Sequence, residues 1–165
     1  MIGIVSYGYG NIQAFLNIFK LLNIKAKPVS NFREIEQVDK LILPGVGSFD
    51  TAIKAINDKD ILPVLNSKVL VDKIPILGVC VGLQMMANSS EEGDLRGFGW
   101  IPGKVIKFKS TSFNTPTHTP HMGWNSVRYK QENKLGAIRH FFCFRRIIKV
   151  YIYLSFGSFF HLFNF

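Results

Sequence analysis

The chain has 165 residues, enough for one domain with a substantial core and short for two. Its 47% hydrophobic content excludes a disordered chain, and two cysteines, Cys80 and Cys143, exclude a disulfide framework and fit a reducing, cytoplasmic setting. The net charge of +9 falls to +5 over the first 135 residues, because the last thirty carry Arg139, Arg145, Arg146 and Lys149 and no Asp or Glu. No basic stripe is interleaved with aromatics, so the expectation is a solvated surface and no nucleic-acid partner.

In chain order, "IGIVSY" (2–7) is a short apolar strand, preceded by neither the basic stretch nor the long apolar run of a signal peptide. "YGYGN" is a loop, and "IQAFLNIFKLLN" (12–23) places Ile12, Phe15, Leu16, Phe19 and Leu22 at helical spacing. "IKAKPVS" fits a second strand. "LIL" (41–43) gives a third, ending at Pro44 and a glycine-flanked loop. "FDTAIKAIND" predicts a helix and "ILPVLNSKVL" another; "IPIL" begins a fourth strand, and "VGLQMMANS" (81–89) after Cys80 predicts a helix. "GFGWIPGKVIKFKS" and "GWNSVRYK" read as amphipathic strands of antiparallel type. Short apolar strands alternating with helices predict an α/β class, a doubly wound and mostly parallel sheet of flavodoxin-like form.

Ligand sites in such sheets lie beyond the carboxyl ends of the strands, where three special loops converge: "SYGYGN", "PGVGSF" and the turn at Cys80. In "GVCVG", Gly78 and Gly82 flank Cys80 by two residues on each side. A nucleophile on a sharp strand-to-helix turn needs small neighbours so that the backbone can close, and it stands exposed above the sheet. Partial positive charge at a helix start favours the thiolate, the nucleophilic form. The alternative is a small buried cysteine with glycines that merely pack helix on strand. The loop Gly45–Val46–Gly47 shifts the balance, since it can turn backbone N–H groups toward a developing oxyanion, with the N–H of Val81 as a second donor. The joint reading is a thiol acyl-transfer site.

"SYGYGNIQAF", "LPGVGSFDTAI", "GVCVGLQMM" and "PHMGWN", in this order, resemble the class I glutamine amidotransferases, and within them the glutaminase subunits of imidazole glycerol phosphate synthase. The resemblance covers about residues 1–130. It implies that Cys80 attacks the side-chain amide of glutamine and that ammonia passes to a cyclase subunit, the partner in a heterodimer of histidine biosynthesis. It implies an oxyanion strand at Gly45, Val46 and Gly47, a second donor at Val81, and glutamine binding by Gln84. Asn11 and the stretch His121, Met122, Gly123, Trp124 and Asn125 would face the cyclase. No cofactor or metal is implied. His118 and His121 form an H-x-x-H without a third ligand nearby, a weak metal signal. From the residues alone, "HMGWN" reads as a strand with a buried tryptophan. Another thiol enzyme on the same fold fits "PHMGWN" and Gln84 less well.

The pattern stops near Leu135. The family completes its triad with histidine and glutamate in an "H-P-E" stretch, preceded by an aromatic strand resembling "F-V-H". Here the histidines after residue 135 are His140 and His161, neither followed by Pro-Glu, and eight of the 15 Phe crowd into the last thirty residues. Phe141–Phe144 occupies the expected place of that strand without its histidine. Residues 1–135 therefore read as an incomplete amidotransferase domain and 136–165 as an anomalous tail. A frameshift between about Asn133 and His140, or a pseudogene, fits the abrupt break; a divergent terminus is the other account. The apolar end, 150–165, falls short of the roughly 20 residues of a membrane span, so no membrane anchor is expected. A non-catalytic cyclase-binding protein stays open beside the active glutaminase.

Overall fold

The computed structural model describes residues 1–106 together with two short strands further on. Four strands form one parallel sheet: β1 (Ile2–Val5), β2 (Ala26–Val29), β3 (Lys40–Gly45) and β4 (Ile76–Cys80), in the order β2-β1-β3-β4. The inner strands, β1 and β3, are apolar on both faces, as a sheet covered on both sides requires: Ile4, Val5, Leu41, Ile42 and Leu43 are all buried. The registers Ile4↔Ile42 and Leu43↔Gly78 bring the carboxyl ends of β1, β3 and β4 to one edge.

Asparagine and serine side chains fix where three of the described helices begin. Helix α1 (Ile12–Leu21) starts at Asn11, whose side-chain oxygen accepts from the Ala14 N–H at 3.1 Å. It ends at Asn23, in the left-handed region at φ 54°, with Asn23 N–H donating to Lys20 O and Ile24 N–H to Phe19 O. Helix α3 (Phe49–Asp58) is capped by Ser48, whose hydroxyl accepts from Thr51 N–H at 3.2 Å, and buries Phe49, Ala52, Ile53 and Ile56 on one stripe. Helix α4 (Leu62–Asn66) continues into a π-helical turn (Ser67–Val71).

Several elements differ from the expectation. A short helix α2 (Phe32–Glu36), unsignalled by any long period, forms because Asn31 caps Glu34 N–H while Glu34 Oε2 reaches back to Ser30 N–H. The third strand is longer than "LIL" and carries Pro44, which sits past the end of the β1 ladder, where a missing N–H costs nothing. The helix after Cys80, α5 (Val81–Met86), ends at Met86 rather than continuing to residue 89, because Ala87 is extended and opens β5 (Ala87–Ser90). Strand β6 (Ile101–Val105) pairs with β5 in parallel, not antiparallel.

Strands β7 (Gly123–Trp124) and β8 (Cys143–Phe144) pair antiparallel within a separate compact unit, Phe108–Lys149. Cys143–Phe144 falls within residues 136–165, which the sequence reads only as an anomalous tail. Among the described residues no helix is long and apolar enough to cross a membrane.

Candidate active site

Cys80 is the last residue of β4 and the cap of α5, at φ 58° and ψ −121°. A non-glycine residue there is strained, and such strain persists only where the surroundings fix it. Three glycines do so. A Cβ on Gly78 would lie 2.6 Å from Leu83 Cα and from Met86 Sδ, so the bare Gly78 lets α5 fold back on β4. A Cβ on Gly82 would strike the Leu43 carbonyl, and one on Gly45 would come within 2.8 Å of the Val81 carbonyl carbon. The end of β3, the cysteine turn and the first turn of α5 are therefore in backbone contact, and the register pairs Gly45 with Cys80. Cys80 itself is half-buried, at the edge where the strands end.

Beyond Gly45 the chain leaves the sheet. Val46 is 49% exposed, and Gly47 adopts φ +86° with open space, among the described residues, where a side chain would stand. The structure brings Gly45, Cys80 and Val81 together and sets Val46 and Gly47 immediately after them. Gln84, one turn into the wholly buried α5, donates from Nε2 to Glu92 Oε2 at 3.0 Å; its Oε1 is buried without a hydrogen-bond partner among the described residues. Asn11 is exposed at the start of α1. Gly123 and Trp124 are in β7, in the other compact unit, whereas His118, His121, Met122 and Asn125 lie outside the described residues.

Sequence reasoning missed three residues here. Tyr7 sits in a stretch read only as strand end and loop; its buried hydroxyl donates to the Pro44 carbonyl at 2.7 Å. Burial, and secondarily the charge of the nearby Cys80, push the Tyr7 phenol well above its ordinary range. Glu92 holds Gln84 as described. Asp50, in the first turn of α3, accepts from Leu95 N–H at 3.0 Å and Asp94 N–H at 3.1 Å, which holds its carboxyl below the usual carboxylate range. The signal for Asp50 was faint: an acidic residue in a first helical turn is common. A groove of about 360 Å³, lined by Phe32, Glu36, Pro63, Ser67, Lys68 and Asp72 among others, contains none of these residues.

With that geometry in hand, likeness to known proteins is informative. The family described as glutamine amidotransferase class-I matches residues 5–154. The chain is 47% identical over 135 residues to "Imidazole glycerol phosphate synthase subunit HisH" of Leptospira interrogans, covering 82% of this chain and 66% of that one. It is 48% identical over 128 residues to the subunit of that name from Bdellovibrio bacteriovorus, covering 78% and 63%. It is 42% identical over 137 residues to "Imidazole glycerol phosphate synthase subunit HisH 2" of Methanococcus maripaludis, covering 82% and 66%. The chain thus spans just under two thirds of the length of these curated relatives. Among solved structures, "Crystal structure of glutamine amidotransferase" superposes with a TM-score of 0.55 over 64% of this chain and 55% of that one, at 23% identity, a likeness of fold.

Proposed function

Because the chain belongs to the class-I glutamine amidotransferases, we propose that its site is that of the glutaminase subunit of imidazole glycerol phosphate synthase, with Cys80 as nucleophile. The Cys80 sulfur attacks the side-chain amide carbon of glutamine; a C–S bond forms and the carbonyl oxygen takes the negative charge. Backbone N–H groups of the Gly45–Val46–Gly47 segment and of Val81 receive that oxyanion. Collapse breaks the C–N bond, ammonia leaves with an added proton, and water cleaves the glutamyl thioester to glutamate and thiol. Gln84 contributes to holding the substrate. The ammonia goes to a cyclase subunit, in the cytoplasm, with Asn11 and, separately, the stretch His121–Asn125 as the residues that the resemblance assigns to contact with it. The observation that carries the reading is the strained Cys80 locked against Gly45 by glycines, in a chain so similar to these subunits.

Thiolate formation and ammonia departure need a base and an acid, one histidine oriented by a carboxylate in this chemistry. No Asp or Glu follows residue 135, and neither His140 nor His161 precedes Pro-Glu. That favours a second reading for a polypeptide of this sequence, in which it binds the cyclase but does not turn over glutamine. The test is glutamate release with cyclase and its nucleotide substrate present. One sample is the 165-residue chain; the other is residues 1–135 joined to the C-terminal third of the Leptospira interrogans relative. The completed chain is expected to be faster by on the order of 10⁴ or more. A completed chain that releases no glutamate contradicts the glutaminase reading, and equal rates contradict the need for the missing histidine.

A further inference from the structure

The Pro44 carbonyl is the point where the sheet hands over to the loop beside Cys80. On the other edge of β1 the pairing with β2 runs on to Ser6, whose N–H donates to Val29 O at 2.8 Å, while the β1–β3 ladder stops at Ile4↔Ile42. A buried carbonyl left there unpaired would be costly. Tyr7 supplies the donor from its side chain, at 2.7 Å, with a ring only 2% exposed so that water does not compete. The loop after it turns at Gly8 and Gly10, both at φ +100°, and a Cβ on Gly10 would stand 3.0 Å from Pro44 Cβ. Residues 7–10 thus close around Pro44, whereas a Cβ on Gly47 would meet nothing within 4 Å among the described residues.

We propose that Tyr7 is a positioning residue for the oxyanion segment: by holding the Pro44 carbonyl it fixes the Pro44–Gly45 peptide and hence the course of Gly45–Gly47. This rests on the glutaminase reading. A trans peptide is planar, with its C=O and N–H pointing in opposite directions, so a hydrogen bond at Pro44 O sets where the Gly45 N–H points. Gly45 lacks a Cβ and would otherwise permit rotation of that peptide. Tyr7 does not touch the substrate; it acts through Pro44.

The test is labelling of Cys80 in the 165-residue chain by a glutamine-derived chloromethyl ketone, at about pH 9.5, where a thiol ionises without a base. Addition of sulfur to the ketone places charge on its oxygen and draws on the oxyanion segment; alkylation by iodoacetamide does not. Tyr7→Phe is expected to lower the limiting rate of ketone labelling about tenfold, with the half-saturating concentration within about twofold and iodoacetamide labelling unchanged. Ile56→Val, a buried α3 change far from the site in sequence, serves as a variant of general destabilisation and is expected to leave all three unchanged. Equal ketone rates for the parent and Tyr7→Phe, a loss shared with iodoacetamide, or the same loss in Ile56→Val would each overturn the role of Tyr7. A parent chain that iodoacetamide labels at Cys80 but the ketone does not would overturn the glutaminase reading itself, and this inference with it.

Discussion

Gly45 and Cys80 are register partners at the carboxyl ends of adjacent parallel strands, and a methyl group on Gly45 would collide with the backbone of the turn that Cys80 begins. The strand that leads to the Gly45–Gly47 loop and the strand that presents the thiol are therefore set against each other by backbone contact. Side-chain packing could tolerate small shifts there; the backbone contact leaves little slack for relative movement of the two.

Strain at Cys80 makes stability and chemistry oppose each other. Cys80→Gly is expected to stabilise the fold by about 1–2 kcal/mol, because glycine adopts φ 58° freely, while abolishing labelling at this site. Urea denaturation of the parent and the variant measures it; a less stable variant would argue that the turn is not strained.

Gly82→Ala acts in the other direction. Its Cβ would meet the Leu43 carbonyl, which belongs to the sheet backbone and cannot swing aside. The expected loss is ~3 kcal/mol, seen as a lower denaturation midpoint. A change below a few tenths would mean that α5 can lift away from β3.

Much of this was readable in the sequence, and the reasons are local. Gly78, Cys80 and Gly82 declare a sharp turn, since few other backbones need glycine at both positions. "PGVG" declares a bare loop, and α3 shows its apolar stripe plainly. Tyr7 and Pro44 were not readable as a pair: 37 positions separate them, and a tyrosine in a loop carries no mark of the carbonyl it will meet. The helix after Cys80 is overextended in the sequence reading because Ala87 suits a helix by propensity, whereas pairing of β5 with β6 decides its conformation. Glu92 escaped notice because its partner, Gln84, already had a role by resemblance.

Acid should loosen the attachment of residues 94–95 to α3. The Asp50 carboxyl is held below its unfolded value by the Leu95 and Asp94 amides, so its contribution is present above about pH 4 and is lost as pH falls through the folded value. Glu34 and Asp39, also lowered, act with the same sign. Asp50→Asn is expected to flatten part of the fall in melting temperature between about pH 5 and 2.5. An unchanged profile would mean that Asp50 titrates alike in the folded and unfolded chains.

Asn11 has a structural role that its expected partner role would conceal. It caps α1, so Asn11→Ala should cost about 1 kcal/mol whatever docks there. Asn11→Ser retains a capping oxygen and isolates the partner contact. Capture by the cyclase is expected to weaken for Asn11→Ser and for Trp124→Ala; capture equal to the parent's in both would remove these two residues from the interface.

The most direct measurement asks which atom carries the acyl group. The completed chain, with cyclase present, is mixed with isotopically labelled glutamine, quenched in acid during turnover and mapped by peptide mass. The glutamyl group is expected on the peptide containing Cys80, lost on treatment with hydroxylamine, and absent from Cys80→Ala, which should release no glutamate above the uncatalysed rate. Turnover that survives Cys80→Ala, or a label on any other residue, would contradict the account.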